Sequence, residues 1–287
     1  MNNLITIRII LVLFLMLVFT VDAEQSKTTQ ERIDQDVLLG KPVVIHVSVA
    51  LADNKNQWIV SVPDSIGNGQ KTENNLYWGA KYGLKTFLLK DAGWKKVNSY
   101  KPENNLILER LVLSKKINRH GQSIMVYLVA DAWDGRYITD TIEQFLNFSA
   151  GLNHILIKVD DKQDIEAGGL AHLKVYIGHN ALMDYFGAKD KLVSTPKTAP
   201  KSLISDAVVL ACKSQSYFET RLDSVGAHPL LLTTGLMAPE SYTLDAAINV
   251  WVQGGTDKAV RKAAAASYAK YQKIDKRSSQ ILFNAKD

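Results

Sequence analysis

One cysteine, Cys212, stands in a chain of 287 residues. No internal disulfide is possible, and a zinc site of clustered thiolates is excluded. The fold must therefore rest on its apolar core. Proline is scarce, at 7 residues, and no proline-rich or low-complexity segment interrupts the chain. There is no GxGxxG, no Walker sequence and no HExxH, so neither a phosphate cradle nor a helical zinc site is indicated, and no cofactor or metal is expected. The net charge of +5 is small and its Lys and Arg residues are scattered. With no nucleic-acid-binding signature beside them, nucleic acid is not an expected partner.

What is present is an ordinary globular balance, 46% hydrophobic and 22% charged. Arg8 precedes the apolar run from Ile9 to Phe19, and Ala23 closes a small-residue exit. Residues 1–23 thus read as a secretory signal peptide. The run is too short for a comfortable membrane span, which takes about 20 apolar residues. No later stretch is long and apolar enough to span a bilayer. The expected location is periplasmic or secreted, or membrane-anchored if the segment is uncleaved. No cysteine lies near the exit, which argues against a lipid-modified amino terminus. Residues 24–40 are polar and read as a flexible lead-in, and 41–287 as a single α/β domain with a possible subdomain seam near 120.

Within that domain, Pro42 to Ala50 is β-branched and apolar on both faces, as a buried strand should be. Trp58 to Pro63, Thr86 to Leu89 and Leu106 to Leu113 read as further strands, and Asn75 to Gly83 as a short helix. Ser123 to Ala130 is a buried strand. It ends in the acidic turn Asp131-Ala132-Trp133-Asp134-Gly135, after which Ile138, Ile142, Phe145 and Leu146 recur at helical spacing. Two more apolar strands follow. One, Leu173 to Ile177, ends on Gly178-His179-Asn180; the other, Ala207 to Ala211, ends on Cys212. His228 to Thr234 is the next strand, and Thr243 to Ala269 a helix interrupted near Gly254-Gly255. The tail reads as charged and frayed. Strands alternating with helices from residue 123 onward favour a mostly parallel sheet with helices on both faces, carrying an N-terminal β-rich extension.

Open parallel sheets place ligands at the carboxyl ends of their strands. His179 and Cys212 each end a strand, and the 33 positions between them suffice for a βαβ crossover. A thiol needs a base to become a nucleophile, and imidazole supplies one. Asp131 and Asp134 lie at the same edge, either as helix-capping carboxylates or as contacts for a basic substrate residue. His46, His120, His154 and His172 read as structural or surface residues. His228, at the start of a strand, is a further candidate for the same edge.

The block Ala211-Cys212-Lys213-Ser214-Gln215-Ser216-Tyr217-Phe218 resembles the nucleophile block of the caspase-like cysteine peptidases, closest to the legumain form Ala-Cys-x-Ser-Gly-Ser-x-Phe. Gly178-His179 is similar to that family's histidine block, which also comes earlier in the chain. The resemblance covers roughly residues 123–255. It implies a caspase-haemoglobinase-like fold, Cys212 as nucleophile, His179 as general base and a peptide or protein substrate. Two positions depart from the pattern. Asn180 stands where the family has the glycine whose N–H helps to hold the oxyanion, and Gln215 replaces the legumain glycine. No third catalytic residue is identifiable. Two functions follow as expectations: an exported peptidase working by a Cys-His dyad, or a non-catalytic envelope binding module that keeps the fold.

Overall fold

The computed structural model describes residues 28–160, 163–187, 193–196 and 204–284. The signal-peptide reading and most of the connection between 188 and 203 fall outside these residues.

The central element is β1 (Val43–Ala50), all eight of whose residues are buried. Alternate side chains of a strand point to opposite faces, so only a strand covered on both sides is apolar throughout. β1 lies between β4 (Gln122–Trp133) and β7 (Leu173–Ile177), parallel to both. Beyond β7 come β8 (Asp206–Leu210) and β9 (His228–Leu231), also parallel. On the other side β3 (Ile107–Arg119) and β2 (Lys95–Tyr100) continue the sheet antiparallel. The seven-stranded order is β2-β3-β4-β1-β7-β8-β9. β5 (His154–Lys158) and β6 (Asp164–Gly168) form a separate hairpin.

Register assigns the faces. Ile45, Val47, Val49, Val175, Ile177, Val208 and Leu210 join one core with α2 (Leu84–Lys90), α5 (Ser241–Val252) and α6 (Asp257–Gln272). This is the front face. On the back, Ala50, Tyr176 and Val209 pack under α3 (Ile138–Ser149) and α4 (Ser214–Ser224). α3 contributes the predicted stripe of Ile138, Ile142, Phe145 and Leu146, each burial worth about 1.5–3 kcal/mol. Val44, Val129 and the β5–β6 hairpin make a smaller back-face cluster.

Several local expectations change. The lead-in contains α1 (Thr29–Leu38), begun by a capping box in which Thr28 and Glu31 satisfy each other's backbone N–H groups. Ile33 is fully buried, Thr29 Oγ1 donates to Asp206, and Arg119 binds Asp34. Thr86 to Leu89 is part of helix α2, because Leu84, Phe87 and Leu88 share one helical face. Trp58 to Pro63 is irregular, residues 75–83 form turns, and Gly83 is the N-cap of α2 rather than a helix exit. Residues 94–100, to which the sequence assigned no element, contain β2. The β-rich extension is only partly separate: β2 and β3 hold one edge, whereas β1 is central. His120-Gly121 is the turn of the β3–β4 hairpin, and side chains from both sides of it share the front core. The tail forms α7 (Lys276–Leu282), behind which Phe283 is fully buried.

Candidate active site

β7 and β8 are neighbours in parallel register, with Ile177 opposite Leu210. Gly178 extends the ladder by donating its N–H to Leu210 O at 3.3 Å. Counting two further residues along each chain reaches His179 and Cys212, both just past the last strand residue. The two turns are joined directly: Asn180 Nδ2 donates to Cys212 O at 2.7 Å. The Asn180 side chain is thus turned onto the backbone of the cysteine turn rather than into the mouth of the site.

Asn180 Oδ1 also accepts the N–H of Leu182 at 3.2 Å and opens the 3-10 turn Ala181–Gly187. That tight turn brings Asp184 back under the histidine, and His179 Nε2 lies 2.6 Å from Asp184 Oδ1. Both side chains are buried, which strengthens the pairing. With Nε2 carrying its proton toward the carboxylate, Nδ1 is the basic nitrogen of the neutral ring. Tyr176 donates its hydroxyl to His179 O at 2.7 Å and holds the backbone of the turn. Asp184 was not foreseen. Its signal was an aspartate five positions after the histidine, just past an asparagine able to start a tight turn.

Cys212 is half-exposed. Its sulfur lies 3.4 Å from Met237 N and 3.5 Å from Met237 O, so the same residue offers it a donor and an acceptor. Lys213 follows in the left-handed conformation, φ 49° and ψ 34°, and turns the chain sharply into α4. The Lys213 N–H donates to Gly235 O at 2.8 Å, and Ser214 Oγ receives the Thr233 N–H at 2.8 Å. The segment after β9 is thereby seated on the cysteine turn. The Met237 N–H points at this sulfur, and the amino end of α4 begins two residues further on. Tyr77 and Tyr268 stand within electrostatic reach of the sulfur. Burial is the main cause that pushes both phenols above their ordinary pKa.

The other candidates are engaged elsewhere. Asp131 points to the back face, where Arg110 grips it through Nε at 2.6 Å and Nη2 at 2.8 Å. His46 Nε2 approaches it at 3.2 Å, while Gly168 N–H donates to His46 Nδ1, which makes Nε2 the protonated nitrogen. Burial raises the Asp131 pKa, but Arg110 and His46 overcome this and hold it below the usual carboxylate range. Asp134 caps the 3-10 turn Gly135–Tyr137 and pairs with Arg136 at 2.5 Å. His228 begins β9 and so lies at the amino end of the sheet, where it pairs with Asp257 at 2.8 Å. It does not border the thiol edge, because a residue that starts a parallel strand sits opposite those that end one. His46 and His172 are buried in hydrogen-bond networks, while His120 is exposed.

Among the described residues, no cluster of three or more His, Cys, Asp or Glu side chains is arranged to hold a metal, and no helix is long and apolar enough to cross a membrane. Comparison of the chain with family models, with curated proteins and with solved structures finds no match.

Proposed function

We propose that this chain is an exported cysteine peptidase of the caspase-like type, with Cys212 as nucleophile, His179 as general base and Asp184 as the residue that orients the imidazole. The supporting observation is the 2.6 Å His179–Asp184 bond on a turn tied to that of a half-exposed thiol. A carboxylate on one ring nitrogen fixes the tautomer and stabilises the imidazolium, leaving the other nitrogen for the sulfur.

In this reading His179 takes the thiol proton and the sulfur attacks the carbonyl carbon of a peptide. The oxyanion is received by backbone N–H groups at the mouth of the site; that of Asn180, a fully buried residue, is not open to it. Collapse breaks the C–N bond, and the imidazolium protonates the leaving amine. Water, deprotonated by His179, then cleaves the thioester, releasing the acid and restoring the thiol. Asp131 and Asp134 are too well paired to serve as the acidic partners of a basic substrate residue. The apolar run before Ala23 supports export to the periplasm or beyond, with anchoring if it is retained.

The test is labelling of the exported protein with iodoacetamide. Modification should map to Cys212, be absent in Cys212→Ala, and slow by about a hundredfold in His179→Ala, the scale of a lost general base. Equal rates in the wild type and His179→Ala reject the dyad. One observation favours the second reading, a binding module with an inert thiol. Met237 O lies 3.5 Å from the sulfur and accepts a proton that the thiol retains.

A further inference from the structure

The back face carries a second feature, independent of the thiol. A cleft of about 550 Å³ opens where β3 and β4 meet the β5–β6 hairpin, a volume suited to one small ligand or a few residues of peptide. It lies at β4, three strands from β8, on the face opposite the front core to which Met237, the neighbour of the Cys212 sulfur, belongs.

Its floor is the Arg110–Asp131 pair together with Trp133. Trp133 is 2% exposed, and its indole N–H has no acceptor among the described residues. A buried donor without a partner costs about 1–3 kcal/mol. It is retained where something else supplies the acceptor. Phe148 from α3 and Ile155 from β5 form an apolar part of the wall, beside the polar Gln144 and Asn153. At the rim Leu156 is 69% exposed. β5 pairs with β6 alone, so its outer backbone edge has no strand beside it among the described residues.

Charge excludes one ligand class, the anions. The Arg110 guanidinium is already matched by the Asp131 carboxylate, and Glu103 adds a further negative group to the lining. An anion would therefore meet two carboxylates against one cation. A neutral carbonyl meets the vacant indole donor with no such penalty.

We propose that this cleft binds an extended, uncharged peptide segment. Its apolar side chain enters between Phe148 and Ile155, one backbone carbonyl accepts from Trp133 Nε1–H, and its backbone pairs along the free edge of β5. Main-chain pairing on an open edge supplies affinity and the side-chain pocket supplies selectivity.

The experiment follows the indole N–H resonances of the Cys212→Ala protein, in which no cleavage confuses the titration. The probe is N-acetyl-Ala-Leu-Ala amide, with octanoate as an apolar anion of similar bulk. The peptide should shift one indole resonance, assigned to Trp133 by its loss in Trp133→Phe. Octanoate at equal concentration should leave that resonance in place. Leu156→Ser, a change at an exposed position that does not threaten folding, and Trp133→Phe should each weaken peptide binding about tenfold. An unmoved Trp133 resonance, octanoate binding as tightly as the peptide, or full affinity in Leu156→Ser each overturns the proposal. None of these outcomes bears on whether Cys212 is a nucleophile.

Discussion

Asn180 donates its side-chain amide to the carbonyl of Cys212 at 2.7 Å and so ties the histidine turn to the cysteine turn. Asn180 is thus a clamp between two strand ends. Its side chain is fully buried, and both of its polar atoms are used.

Removing that clamp in Asn180→Ala leaves a buried carbonyl and a buried N–H unpaired. Stability should fall by about 2–4 kcal/mol, the cost of two such groups. Urea unfolding measures this directly. A loss below roughly 0.5 kcal/mol, the scale of a surface substitution, contradicts the clamp.

Asp184→Asn keeps the shape of the side chain but removes the charge beside His179. In the peptidase reading, an imidazolium deprived of its carboxylate holds a thiolate less well. The rate of Cys212 alkylation by iodoacetamide at one fixed pH should therefore fall several-fold. An unchanged alkylation rate separates Asp184 from the chemistry.

His172 predicts how the fold responds to acid. Its Nδ1 accepts the Val44 N–H at 3.1 Å, and its Nε2 faces Asp36 at 3.1 Å. Burial pulls its pKa down to about 4, against the opposing pull of Asp36. Below the unfolded value of about 6.5 the unfolded chain binds a proton that the folded one refuses. Stability should thus be full above that pH and fall by up to about 1.4 kcal/mol per unit on the way down to the folded value. Urea midpoints at pH 7.5 and 5 report the slope, and His172→Gln should flatten it. An identical slope in the variant assigns the acid sensitivity to other groups.

Lys213 occupies a left-handed backbone conformation that costs a non-glycine residue about 1–2 kcal/mol. Lys213→Gly relieves this at some entropic cost and should leave stability equal or higher by about 1 kcal/mol. Lys213→Val should lower it, since branching at Cβ tolerates that conformation least. Thermal melts of the pair decide it: a less stable glycine variant denies the strain.

The buried parallel strands were legible because burial on both faces leaves an uninterrupted apolar run, as in Val43–Ala50 and Asp206–Leu210 beyond its first residue. Their order was not. Nothing local tells β1 to enter the sheet between β4 and β7, a pairing made across more than 70 residues. Helix α2 was misread because Thr86-Phe87-Leu88-Leu89 is too short an apolar run for its period to speak. In α1 the Thr28/Glu31 capping signal was present but outweighed by polar composition. The meeting of the His179 and Cys212 turns at one edge followed from strand ends alone. Asp184 did not, since its approach depends on the tightness of a turn. The separation of Asp131 from the thiol depends on side-chain parity, which the edge argument ignored.

Helix α1 fastens the start of the described chain to the amino ends of the parallel strands, through Thr29 on Asp206 and His172 on Asp36. The thiol opens at the other pole. A partner that gripped α1 would therefore leave the sulfur's end of the sheet uncovered.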